Sequence, residues 1–226
     1  MLNLYLSGGG NSEDSRLLDK KFIDSLPNKK FVYIPIALKG DKKHPYNKCL
    51  EWINNTFSRL TNEKFEISLL TDLSGIDIDD LKTFDGIYIG GGNTWSLMQE
   101  IKNSGFYETL IRYIKSGGQV YGGSAGAIIF GKRIDTHDDE NEIEFKDISG
   151  FNLLHGYSVA CHFKDVQSNR FKMWAINNNL PIICLPEETG LIIKNSTALC
   201  TGTKLCVIYY ASGTKRNIHP EELFKL

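Results

Sequence analysis

Short apolar runs recur along the chain, each closed by glycines or polar residues and most followed by a stretch of helical spacing. Residues 2–6 predict a buried strand that stops at Ser7-Gly8-Gly9-Gly10, and a helix over 13–25 follows. Residues 31–37 predict a second strand, and 45–60 a helix that places Cys49, Trp52, Ile53 and Phe57 on one core-facing side. A third strand is expected over 64–70, with a helix start in the acidic turn at Asp77 to Asp80. Residues 86–89 form the next strand, which runs straight into Gly90-Gly91-Gly92-Asn93-Thr94; helices are expected over 95–104 and 105–116. The chain then reaches Val120-Tyr121-Gly122-Gly123-Ser124-Ala125-Gly126-Ala127, a strand entering a helix through small residues. This alternation predicts an α/β protein with a doubly wound, mostly parallel sheet flanked by helices. Farther on come a polar run (132–142), a strand over 157–161 ending at His162-Phe163, a helix over 169–178, a strand over 181–185 and a C-terminal β-hairpin within 191–210. One domain over residues 1–226 is the simplest division for this length.

Two of these turns carry candidate chemistry. Gly122-x-Ser124-x-Gly126 has the spacing of a strand-to-helix bend that exposes a serine hydroxyl beside the first free amides of a helix. The same pattern also suits a tight turn whose serine only caps the helix. In the first reading the N–H of Ala125 is one oxyanion donor, and a glycine of the 90–92 run, Gly91 or Gly92, supplies the second. In an open parallel sheet both loops open on the rim at the carboxyl ends of the strands. His162 stands at that rim and is the expected base; His44, His155 and His219 fall in loops away from it, and His137 is expected on the surface. The run Gly8-Gly9-Gly10 fits neither a dinucleotide fingerprint nor a phosphate loop and is read as a loop beside the cleft.

Composition narrows the classes further. A net charge of −1 lacks the basic surplus that a nucleic-acid partner requires. Five cysteines, Cys49, Cys161, Cys184, Cys200 and Cys206, show no paired spacing, so reduced thiols are expected and neither a metal nor a cofactor is called for. The apolar runs are too short for membrane spans, the opening residues do not resemble a signal peptide, and a cytoplasmic location is expected.

Gly90-Gly91-Gly92-Asn93-Thr94, Gly122-Gly123-Ser124-Ala125-Gly126-Ala127, His162-Phe163 and Glu187 occur in an order and spacing that resembles the peptidase E serine peptidases, a family that includes aspartyl dipeptidases and cyanophycinases. The resemblance spans nearly the whole chain and implies a fold similar to class I glutamine amidotransferases. It implies Ser124 as nucleophile, His162 as general base, and Gly91 or Gly92 with Ala125 as the oxyanion hole. For the acid it offers two positions, Asp139 (beside Asp138) and Glu187. Members with a strict preference for N-terminal aspartate hold its carboxylate with arginines shortly after the histidine; here that stretch keeps only Arg170 and Lys172. Asn93 and Arg170 are accordingly expected at the substrate, a small peptide, with the protein a monomer or homodimer. An esterase or amidase, or an inactive homologue binding a small ligand in the same cleft, would share these features.

Overall fold

The computed structural model describes residues 1–226. Strands β1 (Asn3–Ser7), β2 (Lys30–Ile34), β3 (Glu66–Leu69), β4 (Gly86–Ile89) and β5 (Gln119–Gly123) pair in parallel in the order β1-β5-β4-β2-β3. Helices α1 (Arg16–Ser25), α2 (Tyr46–Ser58), α3 (Ile78–Leu81), α4 (Thr94–Asn103) and α5 (Phe106–Lys115) connect them. Because a strand sends successive side chains to opposite faces, each strand feeds two cores. Leu4, Leu6, Val32, Ile34, Ile87, Ile89 and Val120 pack one face in aliphatic contacts. Tyr5, Phe31, Tyr33, Tyr88 and Tyr121 line the other with Phe22 and Phe57, and the rings of Tyr88 and Tyr121 stack at 4.2 Å. The parallel strands therefore read as continuous apolar runs, since both faces are covered.

The second half departs from the expected single hairpin. A turn at Asn195-Ser196 does join β8 (Thr189–Lys194) to β9 (Thr197–Gly202), and these extend the sheet antiparallel to β1, with β12 (Leu223–Lys225) at its edge. Residues 206–209, however, leave that hairpin. They form β10 (Cys206–Tyr209) in a second sheet with β6 (Ser158–Ala160), β7 (Ile182–Cys184) and β11 (Lys215–Ile218), in the order β11-β10-β7-β6. The cause is burial on both faces: Cys206 and Ile208 join the main core, while Val207 and Tyr209 pack with Phe163, Phe171 and Ala175 beneath α7 (Ser168–Asn178). Helix α6 (Ala125–Ile128), after the small-residue turn, is a single turn long. No helix is long and apolar enough to cross a membrane. All five cysteines are free thiols.

One charged residue sits in the aromatic core. Asp19 of α1 is fully buried, receives a hydrogen bond from Ser15 Oγ at 2.7 Å, and leaves Oδ1 without a partner. Burial pushes its carboxyl up to about 6, against the opposing effect of the Tyr121 and Ser15 hydroxyls. The folded state then holds this proton more tightly than the unfolded chain, so stability is greatest below about pH 4 for this group and falls as pH rises toward 6. Ionising a carboxyl raised this far costs the fold about 3 kcal/mol at pH 7. Asp19→Asn, which cannot ionise, is expected to raise Tm at pH 7 and to change it little at pH 4; thermal unfolding of the two proteins at both pH values checks this.

Candidate active site

The turn after β5 is built by exclusion. A Cβ on Gly122 would lie 2.2 Å from the Gly126 carbonyl oxygen, and one on Gly126 would lie 2.3 Å from that of Ile89. Glycine at both positions lets the chain fold back tightly enough to lift Ser124 into φ 50°, ψ −111°, a conformation that side chains seldom adopt. Its carbonyl starts α6 by accepting from the amides of Ala127 and Ile128. The registers Ser7↔Gly123 and Ile89↔Gly122 bring the glycine loops after β1 and β4 to either side of Ser124.

His162 and Glu187 come from the second sheet. β6 and β7 run parallel with Ala160 opposite Cys184, so the residues just past their carboxyl ends emerge side by side. Leu185 N–H donates to Ala160, and Phe163 N–H to Leu185, which carries the pairing one step beyond the strands. The His162 amide donates to the Gly8 carbonyl at 2.9 Å and so ties the two sheets together at this point. Here the run Gly8-Gly9-Gly10 finds its use: a Cβ on Gly8 would lie 1.9 Å from the Pro186 oxygen, and one on Gly9 2.3 Å from His162 Cε1. Only bare backbone leaves room for the imidazole.

The result is a line of three side chains. Ser124 Oγ lies 2.8 Å from His162 Nε2, and His162 Nδ1 lies 2.9 Å from Glu187 Oε1. The Glu187 contact places the ring proton on Nδ1 and leaves the Nε2 lone pair facing the hydroxyl. Gly91 borders Ser124 directly, since a Cβ there would touch Ser124 Cβ at 3.1 Å. The amides of Gly91, Gly92 and Ala125 make no hydrogen bond within the protein. The loop holding the first two is seated on residues 36–38: Asn93 N–H donates to the Ala37 carbonyl, and Gly92, at φ 137°, has no space for a side chain against that same carbonyl. Cys161 lies beneath, its thiol donating weakly to the carbonyls of Ser7 and Ser124, and burial pushes that thiol far above its ordinary range, so it stays protonated.

Of the two acids left open, Asp139 is elsewhere. Its carboxylate accepts from the Thr94 amide at 2.7 Å at the start of α4 and approaches His137 Nδ1 at 3.1 Å, whereas the His162 ring bonds to Ser124 and Glu187 and not to Asp139. A carboxylate gains from the free amides of a helix N-terminus, which accounts for its position. Both ends of the Asn93 side chain are occupied, accepting from Ser96 N–H and donating to the Glu140 carbonyl. Arg170 is paired with Asp138 at 2.5 Å and reaches the His137 carbonyl at 3.4 Å. The guanidinium accordingly holds the Asp138 carboxyl below its usual range. His137, expected on the surface, is instead packed under Trp95, with the ring centroids 5.0 Å apart and its side chain only 8% exposed. Its polar neighbours in sequence conceal this, because the segment is held by Trp95 and by the Thr136 hydroxyl on the Val159 carbonyl rather than by an apolar run of its own.

Two cavities flank the serine. One, of about 230 Å³, runs between the glycine loops toward Trp52 and Tyr88; the other, of about 360 Å³, lies under Arg170 and His137. A larger hollow of about 490 Å³ around Met1 and His155 touches none of the three aligned side chains. No group of three or more His, Cys, Asp or Glu side chains is arranged to hold a metal ion.

A mostly parallel α/β sheet with an aligned serine, histidine and glutamate at its rim defines the kind of protein, and comparison with known proteins gives the family. Residues 4–201 match the model of Peptidase family S51, and the chain belongs to that family. It is 25% identical over 208 residues to the uncharacterized peptidase PM1590 of Pasteurella multocida, covering 89% of this chain and 98% of that one. It is 22% identical over 204 residues to peptidase E of a Nostoc species, covering 86% of this chain and 81% of that one. The crystal structure of a peptidase from an acI-B1 Actinobacterium superposes with a TM-score of 0.77 at 18% identity, over 100% of this chain and 97% of that one, which shows the shared fold.

Proposed function

We propose that this peptidase-family protein cleaves the amide bond of a small peptide, such as a dipeptide, through an acyl-enzyme on Ser124. The observation that carries the reading is the Glu187–His162–Ser124 line, at 2.9 and 2.8 Å, beside amides that have no other partner. In this mechanism Ser124 Oγ attacks the carbonyl carbon while His162 Nε2 takes its proton. The oxyanion that forms is received by the N–H of Ala125 and of Gly91, each worth about 3 kcal/mol in the transition state. The imidazolium, held by Glu187, then gives its proton to the leaving amine, and a water molecule deprotonated by His162 releases the acyl group. The dimensions suit a short substrate, since the two cavities on either side of Ser124 are each of side-chain size. The test is amine release from a set of dipeptides by the protein and by Ser124→Ala. Hydrolysis that depends on the hydroxyl supports the reading, and hydrolysis that does not, or its absence for every peptide tried, contradicts it.

A further inference from the structure

Helix α2 keeps one large apolar side chain out of the core. Its spacing puts Cys49, Trp52, Ile53 and Phe57 on one side, and three of these are buried, but Trp52 is 39% exposed. The ring lies beside Tyr33, with the centroids 6.5 Å apart, and Tyr33 in turn packs against Gly90 at the start of the oxyanion loop. Trp52 is therefore not an isolated surface residue. It lines the 230 Å³ cavity that Ser124 and His162 also line, so an aromatic surface open to solvent and the reacting hydroxyl share one hollow.

The rest of the wall decides what that surface receives. No Asp, Glu, Lys or Arg lines the cavity; beyond Trp52, Tyr88 and the two catalytic side chains it consists of glycine backbone and the serines at positions 7 and 15. Both serine hydroxyls are already engaged, Ser7 Oγ accepting from the Gly9 amide at 3.2 Å and Ser15 Oγ donating to Asp19 at 2.7 Å. The carboxylates of Asp14 and Glu187 lie against Gly10, outside the lining, and each has its own partner: the Asn11 amide for Asp14 and His162 for Glu187. A charged side chain entering here would lose its water and find no counter-ion, and a carboxamide would find no free side-chain partner. An apolar side chain loses nothing and covers the indole face. Building on the peptidase reading of Ser124, we infer that this cavity is a subsite for an uncharged, apolar side chain next to the scissile bond, with Trp52 as its specificity determinant.

The experiment is a dipeptide panel in which the residue on either side of the scissile bond is in turn Leu, Asn, Asp or Lys, assayed with the parent, Trp52→Ala and Trp52→Phe. Leu, Asn and Asp are close in size, so their ratios report polarity and charge rather than fit. In the parent a kcat/KM advantage of at least about tenfold for Leu over each of the other three is expected at one of the two positions. Trp52→Ala, at an exposed helix position that alanine suits, is expected to shrink the Leu-to-Asn ratio to about threefold or less, chiefly by raising KM for the Leu substrate, and Trp52→Phe is expected to keep most of it. Thermal melts show that the variants are folded, and the parent panel stands on its own whatever they do. Equal rates for Leu and Asn at both positions, or a preference for Asp or Lys with no preference for Leu, overturn the inference. So does a Leu-to-Asn ratio that is the same in folded Trp52→Ala as in the parent. Fluorophosphonate labelling of Ser124 in the parent separates the two claims: a labelled serine without Leu preference defeats this inference alone, whereas an unreactive serine defeats the peptidase reading and this inference with it.

Discussion

Ser124→Ala is expected to lower kcat for dipeptide hydrolysis by on the order of 10⁴-fold or more while leaving the fold intact. Without the hydroxyl no acyl-enzyme forms, and what survives is the contribution of the oxyanion donors and of binding to attack by water. Folding should survive because the strained φ at Ser124 is imposed by the surrounding contacts, Gly122 on Gly126 and Gly126 on Ile89, rather than by the hydroxyl. Alanine fits the same bend, and only the 2.8 Å contact with His162 is lost. Steady-state assays paired with a thermal melt check both halves of the expectation. Full activity in the alanine variant removes Ser124 from the chemistry, and an unfolded variant means that the hydroxyl has a structural role not apparent in its contacts.

The second large effect separates two carboxylates. Glu187→Gln is expected to reduce kcat by about 10²- to 10⁴-fold, because an amide at 2.9 Å from Nδ1 neither balances the imidazolium nor enforces the tautomer with a lone pair on Nε2. Asp139→Asn is expected to leave kcat on a Leu-containing dipeptide within about threefold and to cost on the order of 1 kcal/mol of stability, the value of a carboxylate at a helix start. That difference rests on contacts alone: Asp139 serves the Thr94 amide, and Glu187 serves His162. If Asp139→Asn is the more damaging change to turnover, the assignment of the orienting acid is reversed.

The sequence carries much of this arrangement and withholds a definite part. The Ser124 bend is legible because the constraint is local: glycines two residues before and after the serine are what the backbone itself requires. The parallel half of the fold is legible because its strands are buried on both faces and so stand out as apolar runs. The choice between Glu187 and Asp139 is not, because it depends on β7 lying parallel to β6 with Ala160 opposite Cys184, a pairing between segments more than twenty residues apart. The apolar pattern puts β10 in the hairpin for a similar reason, since its alternating faces serve two different cores. Strands β11 and β12 are short and mostly exposed, with Lys215, Arg216 and Asn217 among their residues, and lack the apolar signal altogether. The pattern puts His137 on the surface because its burial comes from Trp95, forty-two positions earlier in the chain and brought near only when α4 packs.

Covalent labelling with a fluorophosphonate, read by intact-protein and peptide mass spectrometry, bears on the central claim most directly, because it asks only whether His162 activates Ser124. The expected result is one adduct per chain, located on Ser124, absent from Ser124→Ala and formed at least about a hundredfold more slowly in His162→Ala. A folded protein that takes up no label, or that is labelled equally well without the Ser124 hydroxyl, contradicts the account.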